Sequence, residues 1–138
     1  LVDLKLEDSP IMNLDQKALR MVFNNLISNA IRYSPVDSSL NVHLHKNTKY
    51  WQVDFKDQGF GFEKKDIKKV FRKFYRVQNE DTQNIEGAGL GLFISSEIVK
   101  NHKGRLKVSS QGRGKGSIFS VLLPVSREVE VIRQLDER

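Results

Sequence analysis

Asn25-Leu26-Ile27-Ser28-Asn29-Ala30-Ile31-Arg32-Tyr33 is the stretch that decides how the rest of the chain reads. Leu19, Val22, Phe23, Leu26, Ile27 and Ala30 recur at three- and four-residue steps, which puts them on one apolar stripe of a helix. Asn25, Asn29 and Arg32 are spaced four and three apart, so they stack on the face bordering that stripe. An amide oxygen can ligate a hard cation such as Mg²⁺, and a guanidinium suits phosphate oxygens, so this ridge could hold a metal–phosphate group. The same amides would equally serve as the polar margin of an ordinary amphipathic helix. The remainder of the chain has to decide between the two.

Working outward, Asp15 is placed to cap the helix, and Ser34-Pro35 ends it near Tyr33, because the residue before proline avoids helical geometry. Upstream, Leu1 to Leu6 alternates like a short edge strand, with Ile11-Met12 as a second candidate beyond Pro10. Downstream, Leu40, Val42 and Leu44 alternate, a turn falls near Asn47-Thr48, and Trp51, Val53 and Phe55 alternate again. This predicts an antiparallel hairpin with one buried face. His43 and His45 fall on the opposite, solvent-facing side and read as surface strand residues rather than as catalytic groups or metal ligands.

Counting on by two from Phe55 gives Asp57, an inward carboxylate at the point where the chain breaks into Gln58-Gly59-Phe60-Gly61. Such a group needs a hydrogen-bonding partner. Beside glycines that let a flat ligand approach the backbone, it would suit the exocyclic amine of adenine, and it would equally cap a tight turn. A short helix is expected over Glu63 to Lys69. Then comes Val70 to Arg76, in which Phe71, Phe74 and Tyr75 can anchor the segment. The lysines around it read as a solvated face, with functional weight reserved chiefly for Arg76. Val77 to Glu86 is polar and acidic, a candidate mobile lid. It feeds Gly87-Ala88-Gly89-Leu90-Gly91-Leu92 and a second helical pattern with Leu90, Phe93, Ile94 and Ile98. A glycine-rich turn opening a helix presents free N–H groups and the positive end of the helix dipole to a phosphate. The glycines do not follow a strand, which argues against a dinucleotide fold, and no Gly-Lys-Ser/Thr closes an ordinary P-loop.

The second helix should end near His102, a favourable charge at a helix C-terminus, with Gly104 as its cap. Leu106 and Val108 predict one strand; Phe119, Val121 and Leu123 predict another, ending at Pro124. Residues 1–125 therefore read as a single domain, and 126–138 as a charged C-terminal tail. The 138 residues include no cysteine, which excludes disulfides, thiolate metal sites and thiol nucleophiles. No apolar run is long enough to span a bilayer and no signal-peptide pattern is present, which suits a cytoplasmic piece of a longer protein without direct membrane contact. A net charge of +6 favours anionic partners. The basic run lacks interleaved aromatics free to stack on bases, so nucleic acid is not expected.

Four separated segments, in this order and spacing, resemble the ATP-binding catalytic domain of bacterial sensor histidine kinases, within the wider family that includes gyrase, Hsp90 and MutL. Asn25 to Tyr33 resembles the N box, Asp57-x-Gly59-x-Gly61 the G1 box, Phe71 to Arg76 the F box and Gly87-x-Gly89-x-Gly91 the G2 box. Gly116-Ser117-Ile118-Phe119 is similar to the last glycine motif. The resemblance implies an α+β fold, a two-layer α/β sandwich whose mixed, mainly antiparallel sheet is covered on one face by helices, the Bergerat or GHKL fold.

By position, the resemblance implies that Asn29 ligates Mg²⁺ bridging the phosphates of ATP, with Asn25 supporting it. It implies that Arg32 reaches phosphate, Tyr33 packs on adenine and Asp57 accepts the adenine amine. Gly59 and Gly61 would shape the base pocket, Gly87, Gly89, Leu90, Gly91 and Leu92 would cradle phosphates, and Arg76 would sit near the γ-phosphate. Two departures stand out: Ala88 replaces a common Thr, and the lid lacks the extra Arg or Lys of many relatives, with Asp81 near its place. The partners implied are a helical dimerisation and phosphoacceptor domain of the same protein, since no His-Glu-x-Arg/Thr-Pro motif surrounds His43, His45 or His102, and a downstream response regulator. Hydrolytic ATPases and anti-sigma serine kinases of the superfamily carry a Glu at the Asn25 position as general base; Asn25 cannot take a proton. A degenerate, nucleotide-binding regulatory module is the nonenzymatic alternative.

Overall fold

The computed structural model describes residues 1–6 and 12–125. Its elements are β1 (Val2–Leu6), α1 (Gln16–Arg32), β2 (Leu40–Lys46), β3 (Tyr50–Asp57), α2 (Lys64–Ile67), α3 (Gly91–Asn101), β4 (Arg105–Ser109) and β5 (Ser117–Pro124). They form the expected two-layer sandwich. A five-stranded sheet in the order β1-β2-β3-β5-β4 is covered on one face by α1 and α3. Only the β1–β2 pairing is parallel, Val2 standing opposite Leu40, and every other neighbour is antiparallel.

The core follows from the two periodicities. Leu19, Val22, Leu26 and Ala30 of α1 meet Val99 of α3 over the inward residues Leu40, Phe55, Leu106, Phe119, Val121 and Leu123. Burying side chains of this size stabilises the fold by about 1.5–3 kcal/mol each relative to leaving them exposed. Phe23 meets Phe55 with ring centroids 5.6 Å apart, and Phe62 and Phe71 both meet Phe119 edge-on. At the N-terminus of α1 the Asp15 carboxylate accepts from the Ala18 N–H at 3.0 Å, the expected cap.

Several local expectations are corrected. Met12 belongs to no strand and packs against the core; Ile11 and residues 126–138 lie outside the described residues. The short helix covers only Lys64–Ile67. At the end of α3, the left-handed residue is Lys103, with φ 59°, rather than Gly104. The Gly104 and Lys103 N–H groups close back onto the Val99 and Lys100 carbonyls, a Schellman arrangement. Gly104 is required instead because a side chain there would run into the Leu122 carbonyl of β5. His102 bridges the two helices through its ring nitrogens. Its Nε2 accepts from the Asp15 N–H at 3.0 Å and its Nδ1 stands 2.8 Å from the Ile98 carbonyl. The ring thereby ties the end of α3 to the start of α1.

Phe74, expected as an anchor, is 64% exposed. Its backbone adopts φ 64° and its N–H donates to the Gly89 carbonyl at 2.9 Å. That bond fixes the main chain while the ring turns outward beneath Lys73. Phe71 and Tyr75 carry the anchoring instead, through Phe119 and Asp66.

Candidate functional site

A cavity of about 220 Å³ opens between the C-terminal half of α1, the end of β3, the 75–82 segment and the glycine loop before α3. Asn29, Arg32, Tyr33, Asp57, Gly61, Arg76, Gly87, Gly89, Leu90, Gly91 and Leu92 all line it, although they come from four separate stretches of sequence. Of the expected site residues only Asn25 and Gly59 stay off its wall.

Asp57 is fixed at the cavity floor. Its Oδ1 accepts from the Gly59 N–H at 2.8 Å and the Ser117 N–H at 3.1 Å, and its Oδ2 accepts from the Ser117 hydroxyl at 2.7 Å. A carboxylate has about four acceptor positions, so one, on Oδ2, remains for a donor in the cavity. Gly59 matters through close approach. A Cβ there would stand 2.5 Å from the Tyr33 carbonyl and 2.9 Å from Asp57 Oδ1. Only glycine lets this loop lie against the end of α1, where the Phe60 N–H donates to the Tyr33 carbonyl at 2.9 Å. Ser117, opposite Asp57 in the β3–β5 register, was visible in the sequence only as part of a glycine motif.

At the other end, Asn29 Oδ1 accepts from Arg32 Nη2 at 2.6 Å, and Arg32 Nη1 donates to the Glu86 carbonyl at 3.3 Å. The amide oxygen and the guanidinium are thus neighbours on the wall beside the glycine loop. Gly89, at φ 73°, packs on the backbone of Phe74 and Tyr75, so the loop is seated against the aromatic segment before it. The first turn of α3, starting at Gly91, carries N–H groups without intrahelical acceptors, and its Gly91 and Leu92 line the cavity. Asn25 serves this geometry from behind: its Nδ2 donates to the Gly91 carbonyl at 3.3 Å and to Ser95 Oγ at 3.1 Å.

Arg76 lines the cavity and donates to the Ile85 carbonyl. Tyr75 donates to the buried Asp66 at 2.5 Å, and that bond, with burial and the Asp66 charge behind it, holds the phenol above its ordinary value as a proton donor. The 77–86 segment has more local organisation than its composition suggests. Thr82 is buried, donates to the Val77 carbonyl at 2.7 Å and accepts from the Asn79 N–H. Asp81 pairs with Arg113 of the β4–β5 loop at 3.0 Å, so the acidic residue that stands where a base was looked for is joined to a second glycine-rich turn.

A family model described as histidine kinase-, DNA gyrase B- and HSP90-like ATPase matches residues 14–127. The chain belongs to this ATPase family. Among curated relatives, it is 39% identical over 123 residues to the sensor histidine kinase WalK of Bacillus subtilis (strain 168), covering 86% of this chain and 20% of that protein. It is 38% identical over 112 residues to the sensor protein kinase WalK of Staphylococcus aureus, covering 80% of this chain and 27% of that one. The chain thus spans about a fifth to a quarter of the length of these relatives. The mycobacterial sensor histidine kinase MprB superposes with a TM-score of 0.74 at 25% identity, over 89% of this chain and 81% of that one. The catalytic domain of histidine kinase ThkA, at 20% identity and a TM-score of 0.75 over 90% of this chain and 80% of its own, shares the fold of the family.

The donor set fits the group that the fold implies. One amide oxygen on the wall, beside a guanidinium and a row of backbone N–H groups, suits an ion that keeps most of its coordination as water and phosphate oxygen.

Proposed function

We propose that the chain is the ATP-binding catalytic domain of a sensor histidine kinase, which binds Mg-ATP and donates the γ-phosphate to a histidine on a separate helical dimerisation domain of the same protein. The observation that carries this reading is the convergence, on one cavity, of the fixed carboxylate of Asp57, the glycine loop at the start of α3, the Asn29 amide oxygen and the guanidiniums of Arg32 and Arg76. The similarity to sensor kinases over most of this chain supports it.

In this reading Asp57 accepts the adenine amine and Tyr33 packs on the base. Loop 87–91 and the first turn of α3 receive the phosphates, where N–H groups and the helix dipole favour negative charge. Asn29 would hold Mg²⁺, and Arg32 beside it reaches phosphate. The ion, when bound, would neutralise charge on the phosphate oxygens. Arg76 supplies fixed positive charge at the γ end. Ala88 costs a hydroxyl and no backbone donor. Asn25 holds the Gly91 carbonyl and Ser95, and its amide offers no proton acceptor, which supports phosphoryl transfer to a histidine over hydrolysis or serine activation. The work asked of the domain is positioning and charge. A response regulator then takes the phosphoryl group downstream, in the cytoplasm.

Incubation of this chain with γ-labelled Mg-ATP and the dimerisation domain of its parent protein tests the proposal. Acid-labile label on the dimerisation domain is the expected result. ATP binding with no transfer would favour the regulatory-module reading.

A further inference from the structure

The sheet face turned away from α1 and α3 carries a second constellation. His43 and His45 lie two apart on β2 and so project from the same face, and Asp54 stands directly opposite His43 on β3. One ligand atom from each of the three falls within 4.8 Å of the others. The imidazoles stack with centroids 4.6 Å apart, and His45 Nε2 lies 2.9 Å from Asp54 Oδ2. None of the three is fully exposed, contrary to the expectation for surface strand histidines, and His43 Nε2 is itself buried.

The carboxylate is oriented from behind. Asp54 Oδ1 accepts from Ser120 Oγ of β5 at 2.6 Å and from Gln52 Nε2 of β3 at 2.8 Å, which leaves Oδ2 for the histidines. Anchoring one oxygen while the other faces an imidazole pair is the arrangement by which outer hydrogen bonds aim a metal-ligating carboxylate. All three side chains stand on paired strands, which hold their spacing more rigidly than loops would.

We propose that His43, His45 and Asp54 form a binding site for a borderline divalent transition ion such as Zn²⁺, separate from the nucleotide cavity and on the other side of the sheet. Two imidazole nitrogens and one carboxylate oxygen are the donor types such ions prefer, and a fourth position stays open to water. Ligand atoms around tetrahedral zinc stand about 3.4 Å apart at bond lengths of about 2.0–2.1 Å. The trio's atoms, within 4.8 Å of one another, must draw together by side-chain rotation to reach that distance. The adjoining hollow, about 300 Å³, is bordered by Asp3, Lys5 and Lys56 as well as by His43 and Asp54. The two lysines oppose a cation and Asp3 favours one, so the affinity belongs in the micromolar range rather than in that of a closed structural site.

Isothermal titration of the 138-residue chain with ZnCl₂ tests this, with Co²⁺ as the spectroscopic probe. One ion per chain is expected, with the visible absorption of tetrahedral Co²⁺. His45→Ala and His43→Gln, each checked for folding by circular dichroism, should weaken binding by about tenfold or more, whereas His102→Gln should retain it. No binding by the intact chain, binding undiminished in a folded His45→Ala or His43→Gln chain, or loss in His102→Gln alone would overturn the proposal.

Discussion

Asp57 and Asp54 lie three residues apart on β3 and point to opposite faces of the sheet, and each is held by a serine of β5. Ser117 fixes Asp57 at the cavity, and Ser120 fixes Asp54 on the open face. For Asp54, burial works against the charged form. Hydrogen bonds from Ser120, Gln52 and His45, with the His45 charge, outweigh it and hold the carboxyl below its ordinary value of 3.8. Because the folded value is the lower one, the stability it contributes is complete above the unfolded value and is lost as pH falls below about 3.8. Acid unfolding followed by circular dichroism should therefore be steeper in this range for the wild-type chain than for Asp54→Asn; superimposable acid limbs would contradict the assignment. The alternation in β2 placed His43 and His45 on the non-core face. It gave no sign of the cluster they form with Asp54, whose carboxylate is held by a serine 66 residues away. Ser117 was hidden for the same reason: its partner lies 60 residues earlier and is revealed only by strand pairing.

Between elements, the joints that set the cavity are few. Asn25 bridges α1 to the first turn of α3, and His102 bridges the far end of α3 to the cap of α1. Removing the Asn25 amide leaves the Gly91 carbonyl and Ser95 hydroxyl short of a partner, which costs about 1–3 kcal/mol in a part-buried setting. Asn25→Ala should lower the urea midpoint accordingly and weaken ATP binding by loosening the glycine loop that ends at Gly91. Unchanged stability would remove the bridging role. Helix positions were legible because the 3.6-residue period and the Asp15 and Pro35 signals act locally. Lys103 in place of Gly104 as the left-handed residue was not, since glycine at 104 answers to the approach of β5 rather than to the helix end. The outward Phe74 ring and the Asp81–Arg113 pair likewise depend on contacts distant in sequence: Gly89 for the first, the β4–β5 turn for the second.

At the scale of the molecule, the two-layer class follows from strands that alternate and helices that carry one apolar stripe. The parallel β1 and the insertion of β5 between β3 and β4 are set by tertiary packing, which alternation does not encode. The sheet and helices bring the polar ridge of α1, the end of β3 and the glycine loop to one cavity. Among the described residues no helix is long and apolar enough to cross a membrane. In the proposed function this cavity takes Mg-ATP with Asn29 as the protein's ligand to the ion. Calorimetric titration of the 138-residue chain with ATP, with and without Mg²⁺, compared between the wild type and Asn29→Ala, tests it most directly. Mg²⁺-enhanced binding is expected in the wild type and is abolished in Asn29→Ala while the circular dichroism spectrum stays unchanged. Undiminished Mg²⁺-dependent affinity in Asn29→Ala would contradict it.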